Sequence, residues 1–229
     1  MEPFVLERPG VLRGVRLYGA PEEDEAELVE AVNRFALRPL AREEFVVFTL
    51  DLCNNQVDRH FSRFPEEELE KINAMVVGRP LMERHDLRGT LPRGTFFRSR
   101  IHRDGDVVSV RPDVYVLRTS ENADFILNIE GGVYRETSIG FSFCLPECSV
   151  CGNDIRACAH TPGQGYEGHV CHFVMRDVVD VLEGSVVASG SQGTAFVSQA
   201  RHGGLAGWQG LRAGSGMAGF GGKRCWARE

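Results

Sequence analysis

A mainly β fold with a few flanking helices is what this sequence predicts, on three observations. Runs of strand length that are apolar or alternate apolar with polar recur at residues 45–50, 95–118, 133–144 and 170–188. Helical spacing of apolar residues is confined to residues 21–37, 65–78 and a short stretch at 121–130. Turn chemistry, such as Arg103-Asp104-Gly105-Asp106 inside 95–118, breaks the strand-like runs into hairpin arms.

Taken in order, residues 1–20 carry no period and read as an extended arm. Pro21 and an acidic run then precede Leu28, Ala31, Val32 and Phe35, an amphipathic helix whose first-turn acids suit its dipole. Phe45 to Leu50 is rich in Val and Phe, the composition of a buried strand. Pro65 and three glutamates open a second helix, with Leu69, Ile72, Met75 and Val76 on one face and Gly78 as its stop.

A short strand over residues 80–83 leads His85 and Asp86 into a polar loop. The hairpin over 95–118 follows, then a helix at 121–130 that Gly131 and Gly132 end. Strand 133–144 comes next, with Val133, Arg135, Thr137, Ile139, Phe141 and Phe143 on one face. Tyr134, Glu136, Ser138, Gly140, Ser142 and Cys144 occupy the other, where small neighbours leave room beside Ser138. After a cysteine-rich excursion to about residue 168, strands return at about 170–175 and 178–188. Residues 201–229 are punctuated by glycine and almost without aliphatic residues, the composition of a flexible tail.

The chain has 229 residues, enough for one well-packed domain with appendages. Its net charge of −6 counts against a dominant nucleic-acid-binding role, which calls for a basic face. No apolar run approaches bilayer length, and the N-terminus lacks the basic and then apolar pattern of a signal peptide, so a cytosolic, reduced protein is expected.

In that setting clustered cysteines point to a metal. Cys148, Cys151, Cys158 and His160 form a C-x2-C-x6-C-x-H set, with Gly152 beside the second cysteine to let the loop close. Four protein ligands imply structural zinc, with Cys144, His169, Cys171 and His172 as alternatives or neighbours of the shell. Because the knuckle follows the Ser138 strand, it is expected to clamp the loops beside that serine.

Glu183 draws attention for another reason. It sits in the apolar run Val181-Leu182-Glu183-Gly184-Ser185-Val186-Val187, and an unpaired carboxylate buried there would cost several kcal/mol. A histidine held in one tautomer is a suitable partner. Ser138 on a polar strand face and His85 in a loop are unremarkable by themselves.

Their order along the chain is not. Asp58-Arg59 with Phe64-Pro65-Glu66, Val77-Gly78-Arg79-Pro80 with Arg84-His85-Asp86, Glu136-Thr137-Ser138-Ile139-Gly140, and Glu183-Gly184-Ser185-Val186-Val187 follow one another as blocks. This succession resembles the tailed-phage prohead maturation protease family, related to herpesvirus assemblin, over about residues 35–198. The resemblance implies an assemblin-like closed antiparallel β-barrel over residues 41–200, with a zinc-knuckle insertion at 144–168, after an arm and helix over 1–40. It implies Ser138 as nucleophile, His85 as general base and Glu183 as third member. Strand parity adds Asp180 as the competing acid, an odd step from Glu183 so that both cannot face the site from one regular strand, and Ser142, two residues beyond Ser138 on the same face, as the alternative nucleophile.

The loop after Glu183, with Ser191 and Gln192, would help to form the oxyanion site. The family has a Pro-Ala pair there, whereas this chain reads Ala188-Ser189-Gly190-Ser191-Gln192-Gly193. The implied activity is a serine endopeptidase that cleaves scaffold, major capsid protein and its own tail inside the assembling procapsid in the host cytoplasm, with self-association as an option. A catalytically weak homologue serving as a capsid scaffold or binding module is the competing expectation. Neither a membrane nor nucleic acid is expected as a partner.

Overall fold

In the computed structural model, which describes residues 24–197, the chain enters at helix α1 (Glu25–Asn33). Asp24 Oδ1 caps it by accepting the Ala26 N–H at 3.0 Å. Its apolar stripe sets Val32, Leu28 and Phe35 against Phe45, Phe97 and Tyr115, a small satellite core. Strands β1 (Phe45–Thr49), β2 (Cys53–Asn54) and β3 (Ser62–Arg63) follow, then helix α2 (Glu66–Met75) and β4 (Pro80–Glu83). The hairpin β5 (Gly94–Asp104) and β6 (Val107–Leu117) turns through Gly105 at φ +55°. Helix α3 (Ala123–Glu130), β7 (Glu136–Cys148), the small hairpin β8 (Gly165–Tyr166) with β9 (His169–Val170), and β10 (Phe173–Val187) complete the order. No helix among the described residues is long and apolar enough to cross a membrane.

The fold is mainly β, and one sheet dominates it. Its strands run β1-β6-β5-β4-β10-β3, with β2 on β6 and β7 on β10. The main core lies inside this sheet, where Phe48, Leu50, Phe64, Leu81 and Phe96 meet Leu69 and Ile72 of α2.

The expected closed antiparallel barrel is not found. The edge strands β1 and β7 do not pair with each other. Residues 194–197 lie between their ends and take up their edge groups: Ala195 C=O accepts the Asp51 N–H at 2.9 Å, and Thr194 C=O accepts the Thr137 N–H at 2.9 Å. Only isolated bridges, Leu50 to Phe196 and Glu136 to Ala195, form there. The sheet is also mixed, because β3 and β4 both run parallel to β10.

Two further departures bear on the site. Residues 133–135 are not strand: the Val133 and Tyr134 N–H groups both donate to Asn128 C=O at the end of α3. Tyr134 therefore packs on the core while Val133 is exposed, the reverse of the strand alternation. The two strands expected near 170–175 and 178–188 are one, β10, kinked at Asp177 with φ +56°. The kink turns the Asp177 and Val178 N–H groups to the buried Glu68 carboxylate of α2, which accepts both, at 3.1 and 2.9 Å, and the first register shift follows between Val178 and Asp180. A second register shift, between Val181 and Glu183, leaves Leu182 turned outward. The arm over residues 1–20 and the glycine-rich segment 201–229 lie outside the described residues.

Candidate active site and metal centre

β10 runs between β7 and β4, and this arrangement gathers residues distant in sequence. Across the β7–β10 ladder Ser138 is opposite Ser185, Gly140 is opposite Glu183, and Ser142 is opposite Asp180. Directly opposed residues project from the same face, so Ser138, Ser185 and Glu183 share one surface. Gly140 is required there: a Cβ at this position would overlap the Glu183 carboxylate. The room left by Gly140 is filled by Glu183, whereas the sequence had suggested open room beside Ser138.

On the other side of β10, β4 ends at Glu83 and Arg84 takes φ +69°, a left-handed conformation that non-glycine residues rarely adopt. Both its backbone groups are tied to β10. The Arg84 N–H donates to Val186 C=O at 2.9 Å, and its C=O accepts the Ser185 hydroxyl at 2.9 Å. This turn delivers His85, whose Nδ1 lies 2.6 Å from Glu183 Oε1. Glu183 is 2% exposed, and the buried Ser185 hydroxyl also contacts its Oε2. With Nδ1 engaged by the carboxylate, Nε2 is the ring nitrogen left for proton transfer. Ser138 is half-buried, and its hydroxyl bonds to none of the described residues.

The competing acid has a different partner. Parity along a regular strand would put Asp180 and Glu183 on opposite faces, but the second register shift puts them on the same one. They are separated by pairing instead. Asp180 Oδ1 accepts from Arg79 Nη2 at 2.6 Å, while Glu183 holds His85. Ser142 is exposed opposite Asp180, farther along β7 from the Glu183 pair.

The loop after β10 lies against the start of β7. Gly190 N–H donates to Glu136 Oε2 at 2.6 Å, and a Cβ on Gly190 would sit 2.6 Å from Thr137 C=O. Arg59 spans the outside of this loop. Its guanidinium donates to Ser189 Oγ at 2.7 Å and to Ser189 C=O at 3.0 Å, and its N–H donates to Ser191 C=O at 3.1 Å. Gln192 points its amide inward, accepting the Asn54 N–H at 3.0 Å and donating to Asn54 and Gln56 carbonyls at 2.9 and 3.1 Å. The glycine-containing loop is thus fixed at both ends. The Ser191 and Gln192 N–H groups donate to none of the described residues.

At the other end of β7 the ligand atoms of Cys148, Cys151, Cys158 and His160 all lie within 4.8 Å of one another. The local turn has the form a metal knuckle needs: Val150 N–H points at Cys148 Sγ at 3.4 Å, and Gly152 takes φ +73° as its N–H donates to Cys148 C=O. Burial pushes the Cys148 thiol up, but the N–H groups of Cys151 and Val150 outweigh it and lower the pKa. The Asn153 N–H lowers Cys151 likewise. The His160 N–H favours the Cys158 thiolate, yet burial and the neighbouring sulfurs win and hold that thiol up.

Three cysteine sulfurs this close together suit a shared cation, and His160 Nδ1 is buried without a hydrogen-bond partner among the described residues. The donor set can hold a metal ion and is compatible with zinc. Of the alternative ligands, Cys171 is buried with Sγ 4.0 Å from Cys148 Sγ, and burial foremost pushes its thiol up to about 11. Cys144, His169 and His172 lie outside the cluster.

The knuckle does not adjoin Ser138 as expected. β7 runs on to Cys148, ten residues beyond Ser138, a path of roughly 30 Å along the strand. No protein-family model, curated protein or solved structure matches the chain, so the chemistry has to be read from its own residues. Sequence reading passed over Arg59, Ser185 and Glu136. The Asp58-Arg59 pair stood in the motif without a role, and Ser185 was visible only as the middle of the Glu183 block.

Proposed function

We propose that this chain is a serine endopeptidase of the prohead-maturation type, with Ser138 as nucleophile, His85 as general base and Glu183 as its orienting acid. The observation that carries this reading is the 2.6 Å contact of His85 Nδ1 with a buried carboxylate, on the face that presents the half-buried Ser138 hydroxyl. Ser138 Oγ attacks the peptide carbonyl while His85 Nε2 takes its proton. Glu183 stabilises the imidazolium, which then protonates the leaving amine, and water resolves the acyl-enzyme by the same route. The free N–H groups of Ser191 and Gln192 are the candidate donors to the tetrahedral oxyanion.

The procapsid setting, with scaffold and major capsid protein as substrates, rests on the ordered sequence blocks. The Cys148, Cys151, Cys158 and His160 set is assigned to structural zinc, because four protein ligands close the shell. Zinc there would tie the Cys148 end of β7 to the turn over residues 151–160 and would supply no step of the hydrolysis.

Co-expression of the chain with the capsid protein of its own head-gene cluster tests the activity. The intact chain should shorten capsid protein at a defined site, and Ser138→Ala should leave it whole. Full-length capsid protein from both would favour the second reading, a capsid-binding homologue with little turnover. One observation supports that rival: the Gly190 N–H, a potential oxyanion donor, is already held by Glu136. Metal analysis should find one zinc per chain, lost in Cys151→Ser.

A further inference from the structure

The knuckle and the loop beside Ser138 are joined by one tight turn. Asp58 closes it, with Oδ1 accepting the His60 and Ser62 N–H groups, each at 2.8 Å, and its C=O accepting the Phe61 N–H at 3.0 Å. From one side of this turn Arg59 grips Ser189 and Ser191. From the other, Phe61 at φ +57° faces the knuckle segment. Its C=O accepts the Phe173 N–H at 2.9 Å, and a Cβ on Gly163 would stand 2.7 Å from its ring. Gly163 N–H donates to Cys171 C=O at 2.8 Å, and Phe173 pairs with Cys148 across the ladder.

The geometry points to Arg59 as a positioning residue through which the Cys/His knuckle sets the loop beside Ser138. The inference rests on the protease reading only for its consequence in turnover; the mechanical link stands without it. Phe61 and Arg59 are two residues apart in a turn whose every N–H from Asp58 to Ser62 is bonded, so displacement of Phe61 moves Arg59. Arginine suits the task because its planar fork reaches the Ser189 hydroxyl and carbonyl together, which a lysine ammonium cannot do in the same geometry. Ordered zinc ligands hold residues 160–163 against Phe61, and the loop is thereby held against Glu136 and Thr137, beside Ser138 in sequence. The contacts at Thr137 make this more than a brace, since a shift of the loop displaces the candidate oxyanion donors relative to the nucleophile.

The test is amide exchange on the full chain, followed at Gly190 and Asn54, whose N–H groups are held by Glu136 and by the Gln192 side chain. Removing zinc with a chelator should raise exchange at both by about tenfold, beyond the knuckle itself. Arg59→Ala should raise it to a similar level with zinc bound and abolish the response to zinc, and Arg59→Lys should fall between. Gly163→Ala, which crowds Phe61 without touching a ligand, should loosen the loop at full zinc content and serves if Arg59→Ala does not fold. Exchange at Gly190 and Asn54 that ignores zinc while the knuckle opens overturns the inference, as does a folded chain that takes up no zinc. In a cleavage assay Arg59→Ala should lower kcat with KM nearly unchanged, since the oxyanion develops only in the transition state. A chain with zinc-dependent loop exchange but no Ser138-dependent cleavage retains this link and loses the protease reading.

Discussion

The knuckle and the Ser138 face occupy opposite ends of one strand pair, and they are built in opposite ways. The four knuckle ligands fall between Cys148 and His160, so a few local turns suffice to bring them within 4.8 Å of one another. His85 and Glu183 come from β4's exit and β10 and meet at 2.6 Å, and Ser138 of β7 shares their face, only because three strands hold a common register. The first arrangement depends on spacing and the second on the whole sheet. Changes that shift register should therefore damage the Ser138 face and spare the metal, and the contrast can be graded.

Glu183→Gln should give the largest contrast. The amide keeps the shape but favours the wrong imidazole tautomer and cannot balance the imidazolium, so kcat should fall by about 10⁴. Zinc content should be unchanged. Parallel loss of zinc would mean that the two ends are not separable, and kcat close to that of the unmodified chain would remove Glu183 from the mechanism.

Gly140→Ala comes next. The added methyl occupies the position of the Glu183 carboxylate and moves it off His85 while every ionisable group remains. A displacement of about 1 Å of this kind can cost about 10²-fold in rate. Steady-state kinetics beside near-native circular dichroism is the measurement. An active Gly140→Ala would show that the carboxylate has another place to go.

Glu68→Gln tests the register itself, because Glu68 satisfies the bulge that precedes Glu183. Burial pushes the Glu68 pKa up, but Lys71 and the Val178 and Asp177 N–H groups outweigh it and hold the folded value below the ordinary one. Its stabilisation is therefore complete above the unfolded value and lost as pH falls through the folded one. Urea unfolding should show Glu68→Gln less stable by about 1–3 kcal/mol at neutral pH, a gap that closes as pH falls below about 4.5. A gap independent of pH would mean that the carboxylate charge is not what holds the bulge.

The same contrast explains what the sequence disclosed. The knuckle was legible because metal-ligand spacing is a local property, and Glu183 was conspicuous because an acid in an apolar run needs a partner. The strand-rich core followed from the period-2 pattern at residues 95–118 and the apolar run at 45–50. What escaped notice was anything set by strand pairing. The left-handed kink at Asp177 and the register shift after Val178 leave no clear mark in Val174-Met175-Arg176-Asp177-Val178, and without them β10 reads as two strands. The second shift, at Leu182, inverted the parity argument about Asp180. The open edge of the sheet, plugged by residues 194–197, depends on contacts to residues 49–51 and 135–137, all far away in sequence.

Asp180→Asn should have the smallest effect, and it decides whether pairing or position assigns the acid. Asp180 shares the face of Glu183, so position alone would let either carboxylate serve His85. Pairing separates them. Asp180 is 39% exposed and bound to an Arg79 side chain equally exposed, an ion pair worth about 0–1 kcal/mol. Glu183 is buried on His85, where loss of its charge has no solvent to compensate it. Asp180→Asn should therefore change kcat by less than about fivefold, the equivalent of 1 kcal/mol, with little change in unfolding midpoint. A loss as large as that of Glu183→Gln would mean that Arg79 releases Asp180 to His85 during turnover, and that the pair bonded in the resting structure is not the one that works.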